Sequence, residues 1–114
     1  MKKRIAAILY FLPVALLCAA NPLVGRWYHP VYIEDDIIAE FYLEFEDKEF
    51  SFKLVMRAGE RKDVGTYTYS DKKIKLFYDA PDLPEMVEVK YSLNEDKTEL
   101  TVKDEDGSNV YTRQ

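Results

Sequence analysis

Residues on which common functional sites depend are scarce in this chain. Its 114 residues include one cysteine, one histidine and four glycines. A single cysteine forms no internal disulfide, so a hydrophobic core must hold the domain together. A single histidine argues against a Ser–His–acid triad and against a zinc site, and four glycines leave no glycine-rich loop for a phosphate group. The length suits one small domain and excludes a Rossmann enzyme, a kinase or a two-domain transferase.

Basic residues are outnumbered by acidic ones. Lys and Arg number 16 against 21 Asp and Glu, a net charge of −5. Without Met1–Ala20 the balance is 13 against 21, a net charge of −8. Because nucleic-acid binding needs clustered Lys and Arg that displace counterions from phosphates, we expect no nucleic-acid partner.

The one long apolar run lies at the N-terminus. Three basic residues, Lys2, Lys3 and Arg4, precede the run Ile5–Leu17, and Cys18-Ala19-Ala20 offers small residues for cleavage before Asn21. The run is shorter than the ~20 residues that a membrane-spanning helix needs. We expect a signal peptide over residues 1–20 and a mature domain over residues 21–114 that is periplasmic, secreted or attached to the cell envelope.

Cys18 leaves two forms of the mature N-terminus open. Bacterial lipoprotein signals end in a cysteine that becomes the lipidated first residue, usually after Gly, Ala or Ser, and here Leu17 precedes it. The protein is then either cut before Asn21 or anchored by a lipid on Cys18. Contact with a membrane is expected only through the signal or this anchor.

The mature chain predicts strands. Helical spacing is not sustained anywhere past Asn21, whereas strict alternation recurs. With a first strand at Leu23–His29 and a last at Asn109–Arg113, the count is eight. The apolar positions between them are Phe41/Leu43/Phe45, Phe50/Phe52/Leu54/Met56, Tyr67/Tyr69, Ile74/Leu76, Val87/Val89/Tyr91/Leu93 and Leu100/Val102.

Hairpin registers test this prediction, because opposite residues of an antiparallel pair share a face. The turns Glu46–Glu49, Ser70–Lys73 and Asn94–Glu99 each place an apolar residue opposite another. Two further turns are expected at Ala58–Asp63, with Met56 opposite Gly65, and at Glu105-Asp106-Gly107, with Val102 opposite Val110. One face of the ribbon stays apolar through every turn.

The other face is charged or hydroxylic, as in an antiparallel sheet with one solvent-exposed face. Its members are Glu40, Glu44, Lys53, Thr66, Thr68, Lys75, Glu88 and Lys90. Eight short strands with one apolar face bury that face by closing up. We therefore predict an all-β, antiparallel, up-and-down eight-stranded barrel or a strongly curled sheet.

Short motifs along the mature chain carry a family resemblance. They are Pro22-Leu23-Val24-Gly25-Arg26-Trp27, Gly65-Thr66-Tyr67-Thr68-Tyr69, Tyr91-Ser92-Leu93, Leu100-Thr101-Val102, Asp106-Gly107 and Val110-Tyr111-Thr112-Arg113. Together they resemble the small lipocalin-like domains of exported bacterial proteins, which are calycin-type barrels. In lipocalins the Gly-x-Trp strand places its Trp under the barrel floor, and the resemblance implies that role for Trp27.

The inward aromatic residues allow two interpretations. An eight-stranded barrel is just wide enough to be filled by side chains or to hold one small ligand. The aromatics are then core, or they line a pocket in which tyrosine hydroxyls hold a polar group. The candidate ligand-binding residues are Trp27, Phe41, Phe52, Tyr67, Tyr69 and Tyr91.

Other candidate sites have simpler explanations. His29 precedes Pro30 at a strand end, where it is expected at the surface. The run Asp104–Asn109 lacks the ligand spacing and closing Glu of a calcium loop and is explained by a hairpin turn. We expect no catalytic residue, no metal and no cofactor.

Two functions from different classes follow. The first is an exported, non-enzymatic binding module that holds an apolar or amphipathic small molecule in a lipocalin-like barrel. The alternative is a protein–protein interaction or inhibitor module with a filled barrel, whose acidic surface meets an envelope or extracellular protein.

Overall fold

The computed structural model describes residues 21–114, which form one closed antiparallel barrel in which each strand pairs with its neighbours in sequence and the last with the first. The strands are β1 Gly25–Ile33, β2 Asp36–Phe45, β3 Glu49–Met56, β4 Gly59–Tyr69, β5 Lys73–Tyr78, β6 Val87–Leu93, β7 Glu99–Asp104 and β8 Gly107–Arg113. The predicted all-β barrel is confirmed. The expected signal over residues 1–20, with Cys18, lies outside the described residues.

Three of the predicted hairpin registers are confirmed. Phe45 faces Phe50 across the β2–β3 turn, Tyr69 faces Ile74 across the β4–β5 turn, and Leu93 faces Leu100 across the β6–β7 turn. Within residues 21–114, no helix is long and apolar enough to cross a bilayer.

The predicted β3–β4 turn is wrong. Met56 pairs with Gly59, so the turn is Arg57-Ala58, and residues 59–63 belong to β4 instead of a loop. Leu54 then lies opposite Arg61 and Phe52 opposite Asp63. The new register keeps the same residues on each face but brings a charged pair to the inner one.

The predicted β7–β8 register is wrong by one residue. Asp104 pairs with Gly107 across a two-residue turn, and Val102 lies opposite Asn109 instead of Val110. A shift of one residue exchanges the faces of a strand. Val110 therefore points outward, and Tyr111 is buried in the barrel.

The lower end of the barrel is its packed floor. It is the end at which the β2–β3, β4–β5 and β6–β7 turns lie, and Leu23 covers it from below. The indole N–H of Trp27 donates to the carbonyl of Leu23 at 2.9 Å. The residues almost fully withdrawn from solvent are Leu23, Trp27, Phe45, Ile74 and Leu100. Burying each such side chain contributes about 1.5–3 kcal/mol.

A side chain on a nearby strand also donates a hydrogen bond to each of the three lower turns. The Tyr67 hydroxyl on β4 donates to the carbonyl of Glu46 in the β2–β3 turn at 2.5 Å. The Tyr91 hydroxyl on β6 donates to the carbonyl of Ser70 in the β4–β5 turn at 2.5 Å. Arg113 on β8 donates to the carbonyl of Lys97 in the β6–β7 turn at 2.9 Å. These contacts connect the lower turns to neighbouring strands in a part of the chain that contains no cysteine.

Candidate binding site at the open end of the barrel

Apolar residues that face the interior are buried in the lower half of the barrel but only partly buried in the upper half. The upper end carries the β1–β2, β3–β4, β5–β6 and β7–β8 connections. The half-buried inward residues there are Phe41, Phe52, Leu54, Tyr78, Val87 and Val102. We call this set of residues the upper cup. They are apolar or aromatic and partly accessible to solvent.

Stacked rings form one wall of the upper cup. His29 lies between Phe41, at a centroid distance of 5.9 Å and 6° between planes, and Tyr111, at 5.4 Å. Phe41 in turn stacks on Phe52 at 5.6 Å. Offset-stacked and tilted arrangements are those that aromatic pairs prefer.

An ion-paired cluster forms the rim beside this wall, because Asp63 and Arg61 on β4 pair with Phe52 and Leu54 on β3. The Arg61 guanidinium donates through Nε to both oxygens of Asp63, at 3.2 and 3.0 Å, and through Nη2 to Asp82 at 2.8 Å. Asp82 belongs to the β5–β6 loop, so Arg61 fastens that loop to the barrel. The hydrogen bond from Arg61 lowers the pKa of Asp82 below its usual value. The two carboxylates in return raise the pKa of Arg61.

Two tyrosines connect the upper cup with the core. Burial, and secondarily the neighbouring Tyr78 and Asp104, raises the pKa of Tyr111 to about 12. Burial, followed by the charge of Asp63, also raises the pKa of Tyr78. Both phenols are therefore neutral at physiological pH.

The candidate ligand-binding residues separate into two groups. Phe41 and Phe52 lie together in the wall of the upper cup. Trp27, Tyr67 and Tyr91 lie in the floor, where hydrogen bonds to carbonyls already occupy their polar atoms. Tyr69 stands at the lower end of β4 and is exposed.

Several cup residues were missed by the sequence interpretation. His29 follows Trp27 by two positions, so strand alternation alone places it on the inner face. Tyr78 likewise follows Leu76 by two positions, so the same alternation indicates an inner position for Tyr78. Arg61 and Asp63 gave no such signal, because polar residues on the inner face of a strand look like a loop.

Among residues 21–114, no group of three or more His, Cys, Asp or Glu side chains could hold a metal ion.

Two grooves of about 590 Å³ lie on the outer face of β1–β5 and share Glu44, Ser51 and Lys62 in their lining. Their charged walls differ from the aromatic wall of the upper cup.

Comparisons with known proteins find similar folds but no similar sequence. No described family and no curated protein matches the sequence. A lipocalin-like protein from Bacteroides uniformis superposes with a TM-score of 0.58 at 16% identity, covering 82% of this chain and 100% of that one. An uncharacterized protein from Bacteroides eggerthii gives 0.57 at 13% identity, covering 81% and 99%. The chain has a lipocalin-like fold.

Proposed function

We propose that this protein is an exported binding module that takes the apolar part of a small molecule into the upper cup. The observation that carries the proposal is the set of inward-facing apolar residues that remain half-buried although the floor below them is packed. A ligand that covers apolar surface removes it from water, which favours binding.

The lining also limits the chemistry of the ligand. The stacked wall of His29, Phe41 and Phe52 suits a flat or flexible apolar body. The adjacent rim, with Arg61 between two carboxylates, suits a polar end that stays near water. An amphipathic molecule meets both conditions, and the proposal includes no catalytic step.

Export is part of the proposal and is tested separately. Mass spectrometry of the mature N-terminus distinguishes a start at Asn21 from a lipidated Cys18. Retention of Met1–Ala20 would contradict export through a cleaved signal.

The ligand site is tested by filling it. Leu54→Trp puts a large ring into the upper cup, whereas Val55→Trp puts the same ring on the outer face one residue later. Calorimetric titration with fatty acids, haem and retinoids should show binding to the parent protein and to Val55→Trp. The Leu54→Trp variant should bind more weakly. Absence of binding across the panel, or equal loss in both variants, would overturn the proposal.

A further inference from the structure

The aromatic wall of the upper cup contains an imidazole ring. His29 is the one histidine of the chain, and it is half-buried between Phe41 and Tyr111. Unlike the rings of Phe41 and Phe52 in the same wall, this ring has two nitrogens on its edge. The hydrogen-bonding state of those nitrogens determines which polar group the wall can bind.

The residue after His29 explains the position of the first nitrogen. Continued by two residues, the β1–β8 register places Pro30 opposite Val110. Proline has no N–H to donate to the Val110 carbonyl. The His29 side chain meets this carbonyl instead, with Nδ1 at 2.8 Å from the oxygen.

This contact fixes the tautomer of the neutral imidazole. A carbonyl oxygen only accepts hydrogen bonds, so Nδ1 carries the proton. A neutral imidazole has one N–H, and Nε2 is therefore an acceptor without a proton, directed away from the Val110 carbonyl. Within residues 21–114, the bond to Val110 is the only hydrogen bond of the His29 side chain. Nε2 is thus free to accept a hydrogen bond from a ligand.

The charged groups of the adjacent rim favour the same kind of ligand. The Arg61 guanidinium is bonded to the carboxylates of Asp63 and Asp82, so this cluster has one negative charge in excess. Asp104 adds a negative charge near Tyr111. A carboxylate head group would therefore meet an unprotonated nitrogen and surplus negative charge, whereas an O–H or N–H group would meet acceptors.

We propose that His29 determines the polar end of the ligand: Nε2 accepts a hydrogen bond from a hydroxyl or amino group, and a carboxylate is disfavoured. The ligand class is then a long-chain alcohol or amine and not a fatty acid. This inference rests on the proposed function, because the apolar part of the ligand covers Phe41 and Phe52. His29 acts as a specificity-determining residue, and the proposal includes no chemical step.

The tautomer is measured first, in the free protein. Because the chain has one histidine, a long-range proton–nitrogen correlation spectrum of isotope-labelled protein without a histidine tag contains one imidazole. At about pH 8, above the range in which histidine side chains ordinarily titrate, Nδ1 should have the shift of a protonated nitrogen and Nε2 that of an unprotonated one. The opposite assignment would overturn the inference.

Ligands of equal chain length then test the head group. In calorimetric titrations at the same pH, a long-chain alcohol should bind about two- to tenfold more tightly than its methyl ether, which lacks the O–H of one hydrogen bond. The corresponding carboxylate should bind more weakly than the alcohol. The alcohol should also move the Nε2 signal upfield, as accepting a hydrogen bond does, and the ether should not.

The outcomes separate this inference from the proposed function. Binding of the alcohol and the ether with equal affinity, or an Nε2 signal that the alcohol does not move, would overturn the role of His29 and leave the binding of apolar molecules in the upper cup intact. Absence of binding by all of the ligands would overturn both.

A variant separates ligand selection from the structural role of His29. His29→Asn keeps an amide N–H near the place of Nδ1, which donates to the Val110 carbonyl, but has no acceptor at the place of Nε2. Its preference for the alcohol over the ether should fall about two- to tenfold, while its affinity for the ether stays the same. Tyr111→Phe, which removes a neighbouring hydroxyl, is the control and should keep the preference.

Loss of the preference in Tyr111→Phe but not in His29→Asn would assign the ligand's hydroxyl to the phenol and overturn the inference. The nitrogen spectra of the parent protein test the inference even if His29→Asn does not fold.

Discussion

At the scale of single residues, Arg113 connects several segments at the lower end of the barrel. Its guanidinium lies 4.2 Å above the Trp27 ring and donates to the carbonyls of Pro22, Val24 and Lys97 at 2.8 to 2.9 Å. One side chain thus joins the N-terminal segment, the first strand and the β6–β7 turn. The planar fork of arginine suits this arrangement in a way that lysine does not.

Arg113→Met should lower the free energy of unfolding by about 2–3 kcal/mol, because it removes hydrogen bonds from a charged donor and keeps the aliphatic stem. Urea unfolding followed by Trp27 fluorescence measures the loss. Arg26→Met is the control: that side chain is 71% exposed and pairs with Glu44 at 3.5 Å. A similar loss in both variants would show that Arg113 has no special role.

Tyr111 should make the protein sensitive to alkali. Its pKa is about 12 in the folded protein, against 10.0 ordinarily. Burial of the neutral phenol adds to the free energy of unfolding. This contribution is fully present below pH 10 and is lost as the pH rises through about 12. Tyr111→Phe should therefore unfold at a higher pH than the parent protein when circular dichroism is followed from pH 8 to 12. Tyr69→Phe, at an exposed position, should not raise the unfolding pH.

At the scale of elements, β4 depends on a close approach to β5 at Gly65. A Cβ at this position would overlap the carbonyl oxygen of Phe77 and lie 2.9 Å from both the Phe77 carbonyl carbon and a Phe50 ring carbon. Only glycine fits between these neighbours.

Gly65→Ala should destabilise the barrel by about 1–3 kcal/mol through overpacking, or more if the Phe77 backbone does not move. The control is Thr66→Ala, at the next residue, whose side chain is exposed on the outer face. Thermal unfolding measures both. An unchanged midpoint in Gly65→Ala would mean that β5 can move away from β4 at little cost.

The β5–β6 loop should open at low pH. Because the Arg61 contact lowers the pKa of Asp82, the stabilising interaction is present at neutral pH and is lost as the pH falls through that lowered value. Asp82→Asn should release the loop already at neutral pH, visible as faster amide exchange over residues 79–86. Asp79→Asn serves as the control. Equal exchange in the parent and Asp82→Asn would contradict the fastening role of Arg61.

Elements were predictable from sequence where apolar residues alternate. The β2–β3, β4–β5 and β6–β7 registers follow from Phe45/Phe50, Tyr69/Ile74 and Leu93/Leu100, because a slip of one residue would expose a whole face. The sequence favours a loop over residues 59–63, because Arg61 and Asp63 put charged side chains at inner positions. Their ion pair with Asp82 makes those positions acceptable, and that partner is distant in sequence.

At the scale of the whole molecule, the barrel combines a packed floor with an open end. The floor residues are packed and supply stability, and the upper cup is the part that we propose binds a ligand. Of the candidate ligand-binding residues, Phe41 and Phe52 lie where a ligand has access, whereas Trp27, Tyr67 and Tyr91 hold the floor together.

The sequence by itself determined the class of fold, because strict alternation past Asn21 permits only strands with one apolar face, and such a ribbon buries that face by closing. It did not determine which inner residues would be core and which would line a cup. That division depends on the height at which each residue stands in the closed barrel, and hence on the registers of β4 and β8.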